Sequence, residues 1–455
     1  MKFAPFLCWF CLALSGCLNL SPEYAPPDLP LPEAYKGEEG WKIADPADTR
    51  DRGPWWEVFA DPDLNGLMDR LNAGNQDIAE AAANLRSART RIMAARSAFF
   101  PDLSLTGSYT RSGRETGVST SLSAGVSSQW EISLWNSLPA FEAARANAQA
   151  AAADLAALRL SAQAELAQAY FQLRTLDAQM DLYAVTIQAY ARAARLTRSQ
   201  YRGGIVTPAD VAQAEARLAG AESELLALER ERAELEHGIA LLTGQIPSSF
   251  SLPRGGLGAA LPAIPPALPA ALLERRPDIA AAERRVAAAN QNIGIARAAW
   301  FPTLLLGGSR SAEAAGWRLS PLTVWSLGPS AALSLFQGGR RLADSEAAWA
   351  DYEAAVAVYR RTVLAAFKDV EDNLSALAFL ARQIVAEKRA AAAARRALEL
   401  SLSQYEGGMT TYLQVVSAQA TSLLNERSLI QIEGLRRIAA VNLIKALGGG
   451  WEGTE

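Results

Sequence analysis

Apolar and polar positions along the chain fall into three patterns, and the set occurs twice in the same order. The first pattern predicts a helix from Asp63 to Ala98, and again from Pro277 to Ala299. Each helix gives way at a Phe-Pro pair, because the residue before proline leaves the helical region. The second pattern is short and strand-like. Leu103–Tyr109 alternates apolar with small or polar residues, Gly125–Leu134 does so less strictly, and Leu304–Ser309 and Thr323–Phe336 match them. Ser/Gly/Thr-rich stretches, Arg111–Thr120 and Arg310–Leu322, predict exposed loops between the strands.

The third pattern is long. Pro139–Tyr201 and Arg340–Tyr405 are rich in Ala, Leu, Gln, Glu and Arg, as a helix prefers. At ~1.5 Å per residue each helix would be roughly 90–100 Å long. Gly203-Gly204 and Gly407-Gly408 stop these helices. Return helices follow, Pro208–Leu242 and Thr411–Leu447, with Pro208 suited to a first turn.

The order repeats because the chain is duplicated at an offset of about 201 residues. Asp77-Ile78-Ala79 returns as Asp278-Ile279-Ala280, and Ala95–Pro101 returns as Ala296–Pro302. The tip sequence Ser199-Gln200-Tyr201 returns as Ser403-Gln404-Tyr405. Each copy reads as a helix, a β-hairpin and a long helical hairpin. The predicted class is mainly α with a small β part. The predicted segments are 1–16, 17–62, 63–250, 251–276, 277–450 and 451–455: signal peptide, lipidated extended segment, first repeat, linker, second repeat and tail.

Composition narrows the chemistry. The 455 residues include 44 basic and 48 acidic side chains, one histidine and three cysteines. That balance excludes a basic nucleic-acid-binding surface as the dominant feature. So few soft ligands argue against a metal, haem or cluster cofactor, and no cofactor is expected. His237 near a helix end reads as solvated, and Glu229-Arg230-Glu231-Arg232 as a solvated helix face. No nucleophile–base constellation is visible, so an enzyme is not expected.

Met1–Gly16 has one early lysine, a short apolar run and small residues, the pattern of a secretory signal. Leu14-Ser15-Gly16-Cys17 resembles a lipobox, which makes Cys17 the lipidated N-terminus. Leu18 in place of aspartate favours the outer membrane. Pro22, Pro26, Pro27, Pro30 and Pro32 then predict an extended tether.

Four strands cannot close a barrel, and an open sheet in a membrane leaves its edge groups unsatisfied. Three chains would pool twelve strands, within the range of outer-membrane barrels. Phe99, Phe100, Trp130, Trp135, Trp300, Phe301, Trp325 and Phe336 lie near strand ends, where as a set they fit an interfacial aromatic belt, while any one of them fits equally a core contact where helix meets sheet.

Several motifs carry a resemblance. They are Pro22-x-Tyr24-x-x-Pro27, Trp55-Trp56-x-x-Phe59-x-Asp61-Pro62, Arg276-Pro277-Asp278-Ile279, Ile293-Gly294-x-Ala296-x-Ala298-x-Trp300-Phe301-Pro302, Tyr201-x-x-Gly204-x-x-Thr207 and Tyr405-x-x-Gly408-x-x-Thr411. The chain resembles the TolC-like outer-membrane efflux factors of the lipoprotein branch. The resemblance implies a homotrimer, with a 12-stranded outer-membrane β-barrel continuing into a 12-helix periplasmic α-barrel. The implied partners are a periplasmic adaptor, an inner-membrane pump of the resistance-nodulation-division type, and outer-membrane lipid. It also implies adaptor contact at tips built from Tyr201, Gly203, Gly204, Thr207, Asp210, Tyr405, Gly407, Gly408 and Thr411. A gate is implied near Tyr405, Tyr412, Leu413, Gln414 and Ser417. Ser417 stands where relatives commonly carry aspartate, so a gate here would rest on Leu413 and on tip hydrogen bonds of Tyr405, Tyr412 and Asp210, which could also pair with Arg202. The expected activity is passage of drugs or other small amphiphiles, with metal-ion export or protein secretion as alternatives, and a non-pore periplasmic scaffold as the reading outside this class.

Overall fold

Asp61 opens the first helix: its carboxylate accepts the N–H groups of Asp63 and Leu64 at 3.0 and 3.2 Å, and Pro62 occupies the first turn. The structure, a computed structural model, describes residues 19–27, 53–114, 117–132, 134–258, 276–315 and 323–449. Cys17 and its lipobox, most of the Pro-rich tether and most of the 251–276 linker lie outside the described residues.

The first predicted helix is in fact two, α1 (Pro62–Gly74) and α2 (Gln76–Ser97). Asn75 divides them. Its backbone is extended at ψ 125°, its side-chain oxygen accepts the Ile78 N–H at 2.9 Å, and its amide donates to the Leu242 carbonyl at 2.9 Å. Asparagine can substitute for a helical backbone partner in this way, which ends one helix and starts the next.

Next come β1 (Asp102–Arg114), β2 (Gly117–Glu131), α3 (Leu134–Arg202) and α4 (Pro208–Leu242). The second copy supplies α5 (Pro277–Ala298), β3 (Thr303–Ala315), β4 (Thr323–Ala332), α6 (Arg340–Glu406) and α7 (Tyr412–Ala446). The long helices have 69 and 67 residues and the return helices 35 each. The β1 and β3 strands outrun their predicted ends. Their polar outer halves, expected as loops, stay in the ladder. The sheet is antiparallel throughout in the order β1-β2-β3-β4.

The chain forms two compact units that cut across the repeats. One comprises residues 1–30, 82–154 and 278–362 and holds the sheet. Its helices meet through small residues such as Ala153, Ala280 and Ala281. The other comprises 31–81, 155–277 and 363–455 and holds the main apolar core. There Trp55, Trp56 and Phe59 join Leu64, Met68 and Leu71 of α1, Tyr170 and Phe171 of α3, Ile239 of α4 and Ile444 of α7. The Trp55 indole donates to Gln163 at 3.1 Å, so even this buried aromatic has its polar atom partnered. Among the described residues no helix is long and apolar enough to cross a membrane.

Candidate functional site

The ladder register sorts the sheet's side chains onto two unlike faces. Ser104 faces Ser127, Ser108 faces Ser123, Ser112 faces Ser119 and Ser309 faces Ser326, with hydroxyl pairs at 2.8–2.9 Å. Thr106, Thr110, Ser121, Ser311 and Ser330 share this face by register, so it is mainly polar across all four strands, with Leu305 and Val324 as apolar exceptions. The other face carries Leu103, Leu105, Tyr109, Val118, Leu122, Val126, Trp130, Leu304, Leu306, Trp325 and Leu327. Cross-strand hydroxyl pairs let a serine-rich segment hold its register. One apolar and one polar face is the alternation of a membrane barrel strand.

β1 and β4 are the two ends of the strand order, so each has one edge without a partner in the chain. Long open edges demand either cover or another strand.

None of the eight aromatics near the strand ends is buried within the chain. Trp135 meets Phe301 with ring centroids 6.0 Å apart, Phe99 meets Phe141 at 6.2 Å, and the Arg341 guanidinium lies over Trp300 at 5.4 Å. Phe336 is 89% exposed.

The two predicted tips have the same backbone. At the first, Gly204 donates to the Tyr201 carbonyl and Ile205 to the Gln200 carbonyl, both at 2.9 Å. At the second, Gly408 donates to Tyr405 at 3.0 Å and Met409 to Gln404 at 2.8 Å. These paired bonds close a helix with a left-handed residue, and Gly204 and Gly408 take it at φ +73° and +72°. Gly203 and Gly407 precede them with ordinary backbone angles. The closures leave Ile205 and Met409 projecting, 74% and 76% exposed.

The return helices start differently. Thr207 and Asp210 make a reciprocal capping box: the Thr207 hydroxyl accepts the Asp210 N–H at 3.3 Å, and the Asp210 carboxylate accepts the Thr207 N–H at 2.9 Å. That carboxylate is thereby engaged, and among the described residues no ion pair joins it to Arg202. Thr411 has the same extended backbone but makes no side-chain cap, although Gln414 stands three residues on.

The expected gate residues divide. Tyr412 is buried with Val415 and Val416 against Ala194 and Ala214. Its ring centroid lies 5.5 Å from that of Tyr405, so the two rings pack together. Tyr405 donates its hydroxyl to Gln200 Oε1 at 2.5 Å, tying one tip to the other. Burial raises the pKa of both phenols, which keeps them neutral. Leu413, Gln414 and Ser417 share an exposed face of α7, with Leu413 59% exposed.

Two features escape the sequence pattern. Arg232, expected on a solvated face, instead reaches the buried Asp177. Asp177 is 1% exposed and accepts from Arg232 at 2.7 Å, Arg174 at 3.2 Å and the Gly255 N–H at 3.1 Å. Arg232 also donates to the Leu252 carbonyl at 2.6 Å, so the cluster fixes the chain that follows α4. Arg230 does behave as expected, pairing with Glu234 at 2.6 Å in solvent, and His237 is exposed.

The second feature is the N-terminal strap on α5. Tyr24 donates to Glu283 at 2.6 Å, Ser21 to Gln291 at 2.8 Å, and Asn290 to the Pro22 carbonyl at 2.9 Å. Gly294 faces the Ser21 backbone, whose nitrogen would lie 2.8 Å from any added Cβ, so only glycine gives the strap room. The one sequence signal is the Pro22-x-Tyr24 pair, whose docking partner lies far along the chain.

A family profile described as "Outer membrane efflux protein" matches residues 67–245 and 268–449. The pyoverdine export outer membrane protein OpmQ of Pseudomonas aeruginosa is 30% identical over 96% of this chain and 96% of its own length. The cation efflux system protein CusC of Escherichia coli is 28% identical over 99% of both. The solved outer-membrane channel OprN superposes with a TM-score of 0.85 at 31% identity, over 95% of this chain and all of that one.

Proposed function

The chain belongs to the outer membrane efflux protein family, and from that premise we propose that it is the outer-membrane exit duct for small amphiphilic molecules in a tripartite efflux system. The fold is that of TolC-like outer-membrane channels, mainly helical with a small antiparallel sheet. The family is one of channels, so the activity is passage and the chain needs no catalytic groups.

One observation carries the reading. The sheet has an apolar face, a serine-lined face and two open edges. Those three properties together require other copies of the same sheet: the apolar faces meet lipid, the polar faces meet a water-filled lumen, and the edges join. Three chains contribute twelve strands. Cys17 carries the lipid that holds the assembly at the outer membrane.

A periplasmic adaptor docks on the paired tips, where Ile205 and Met409 project beside Tyr201, Gly204, Tyr405 and Gly408. An inner-membrane pump of the resistance-nodulation-division type supplies the cargo. Leu413, Gln414 and Ser417 face the constriction, with Leu413 as its apolar element. The similarity to OpmQ, a pyoverdine exporter, supports an organic cargo. The similarity to CusC favours cation export as the second reading.

Purified protein in a planar bilayer tests the duct and its gate together. The wild type gives discrete channel steps, and Leu413→Ala raises the conductance of the closed form. A Leu413→Ala channel indistinguishable from wild type removes Leu413 from the constriction, and absence of any steps removes the duct. Accumulation of a fluorescent amphiphile against copper or silver sensitivity, in cells lacking the chain, separates the two cargo readings.

A further inference from the structure

The apolar face of the sheet carries two arginines where plain hydrocarbon would admit none. Ser309 turns its hydroxyl to Ser326 on the polar side, so the next residue, Arg310, lies on the apolar side, in one row with Val126 and Trp325. Ser112 likewise bonds Ser119, which puts Arg111 on the apolar side, two residues beyond Tyr109. Both arginines are exposed, and among the described residues neither forms an ion pair.

Both also sit toward the hairpin ends of their strands, away from the ends that join helices. Arg111 is nine residues beyond Asp102, and Arg310 seven beyond Thr303. At ~3.3 Å per residue and a tilt of ~40°, these lie roughly 23 and 18 Å from the helix-joined ends, in an apolar band about 25 Å tall. Arg111 is therefore at the upper rim of the band and Arg310 about 7 Å below it, beside Tyr109 and Trp325, which have the amphipathic character of interfacial residues. From these positions each guanidinium extends upward to the level of the lipid headgroups, its stem lying along the apolar surface. It offers a planar fork matched to two phosphate oxygens.

We propose that Arg310 with Trp325, and Arg111 with Tyr109, form a headgroup site on each chain for the phosphates of the glycolipid of the outer leaflet. The helix-joined ends belong to the periplasmic side, so the hairpin ends meet the outer leaflet, and charge complementarity selects a phosphorylated headgroup. Three chains present six guanidiniums around the barrel. The site anchors the barrel rim in the outer leaflet, as the Cys17 lipid anchors the chain in the inner one. This rests on the reading of the sheet as part of a membrane barrel.

The test uses full-length lipidated protein, stripped of lipid in detergent and offered bis-phosphorylated lipid A, dephosphorylated lipid A, phosphatidylglycerol or phosphatidylcholine. Bound lipid is counted by native mass spectrometry. Wild type retains bis-phosphorylated lipid A in preference to the other three. The Arg111→Gln/Arg310→Gln double variant loses about tenfold of that retention, and Arg111→Lys/Arg310→Lys falls between it and wild type, because the charge remains but the planar fork is lost. Equal retention by the glutamine variant and wild type overturns the site. Retention of phosphatidylglycerol equal to that of lipid A overturns the outer-leaflet assignment. If the glutamine variant fails to assemble as a trimer on a gel, wild type alone decides: equal retention of phosphorylated and dephosphorylated lipid A overturns the proposal. Failure of the barrel reading looks different, because a protein outside the membrane retains none of the four lipids.

Discussion

Asp177 shows how much a single buried carboxylate holds in place. It answers two arginines and a backbone N–H, and Asp177→Ala would leave Arg174 and Arg232 without that partner. Each arginine keeps a second carboxylate, Asp63 at 2.7 Å for Arg174 and Glu236 at 3.1 Å for Arg232, so the loss falls below the ~3–5 kcal/mol of a buried charge left with no partner. The expected outcome is a trimer that dissociates at clearly lower temperature on a heated gel, with unchanged outer-membrane targeting; an unshifted dissociation temperature would show that Arg232 and Arg174 find water instead. Tyr24 gives a pH test. Burial against α5 pushes its phenol up to about 12, against an ordinary value near 10, so the folded strap holds the proton more tightly than the free strap. The strap's stabilisation is therefore present below pH ~10 and is lost as pH rises through ~12. Limited proteolysis across that window should show residues 19–27 becoming cleavable, and Tyr24→Phe should abolish the pH dependence. Cleavage independent of pH in the wild type would mean the phenol is not held in this way. Asp177 is not legible in the sequence and the strap is marked only by Pro22-x-Tyr24, since both depend on partners far along the chain: Arg232 for the one, Glu283 for the other.

Among the elements, the helix ends are the most legible part of the fold. Gly204, Gly408 and Pro208 act through local backbone geometry, so their consequences are written beside them. Asn75 is less so, because an asparagine inside an apolar-periodic run is tolerated in a helix as readily as it divides one. The strands run longer than their pattern suggests for the opposite reason. Serine and threonine mark loops in water, but on the polar face of a barrel strand each hydroxyl finds one across the ladder, as Ser112 finds Ser119. The return helices make a paired prediction. Thr207→Ala removes the hydroxyl half of a capping box, leaving the Asp210 carboxylate on the backbone N–H of residue 207, and should cost about 1 kcal/mol in the first turn of α4. Thr411→Ala removes no side-chain cap and should cost little in α7. Hydrogen exchange of the first-turn amides reads both directly. Equal loss of protection at the two helices would show that the difference in capping between the tips has no energetic counterpart.

For the whole molecule, the question is what completes the sheet. A chain of 455 residues that leaves two strand edges open and one face of its sheet apolar is incomplete by itself. The duplication, the two hairpins and the paired tips are visible as sequence repeats, whereas the closure they serve depends on contacts between copies. The most direct test links those edges. A cysteine at Ser108 in β1 is combined in turn with one at Ser326, Gly328 or Ser330 on the same face of β4, and the protein is oxidised in outer membranes. A disulfide forms only where the two Cα atoms come within about 7 Å, so the scan also reads the register. If β1 of one chain pairs with β4 of the next, one of the three combinations gives dimers and trimers on a denaturing gel that revert to monomers on reduction. Membrane-inserted protein that stays monomeric in all three combinations would contradict the closed twelve-stranded barrel.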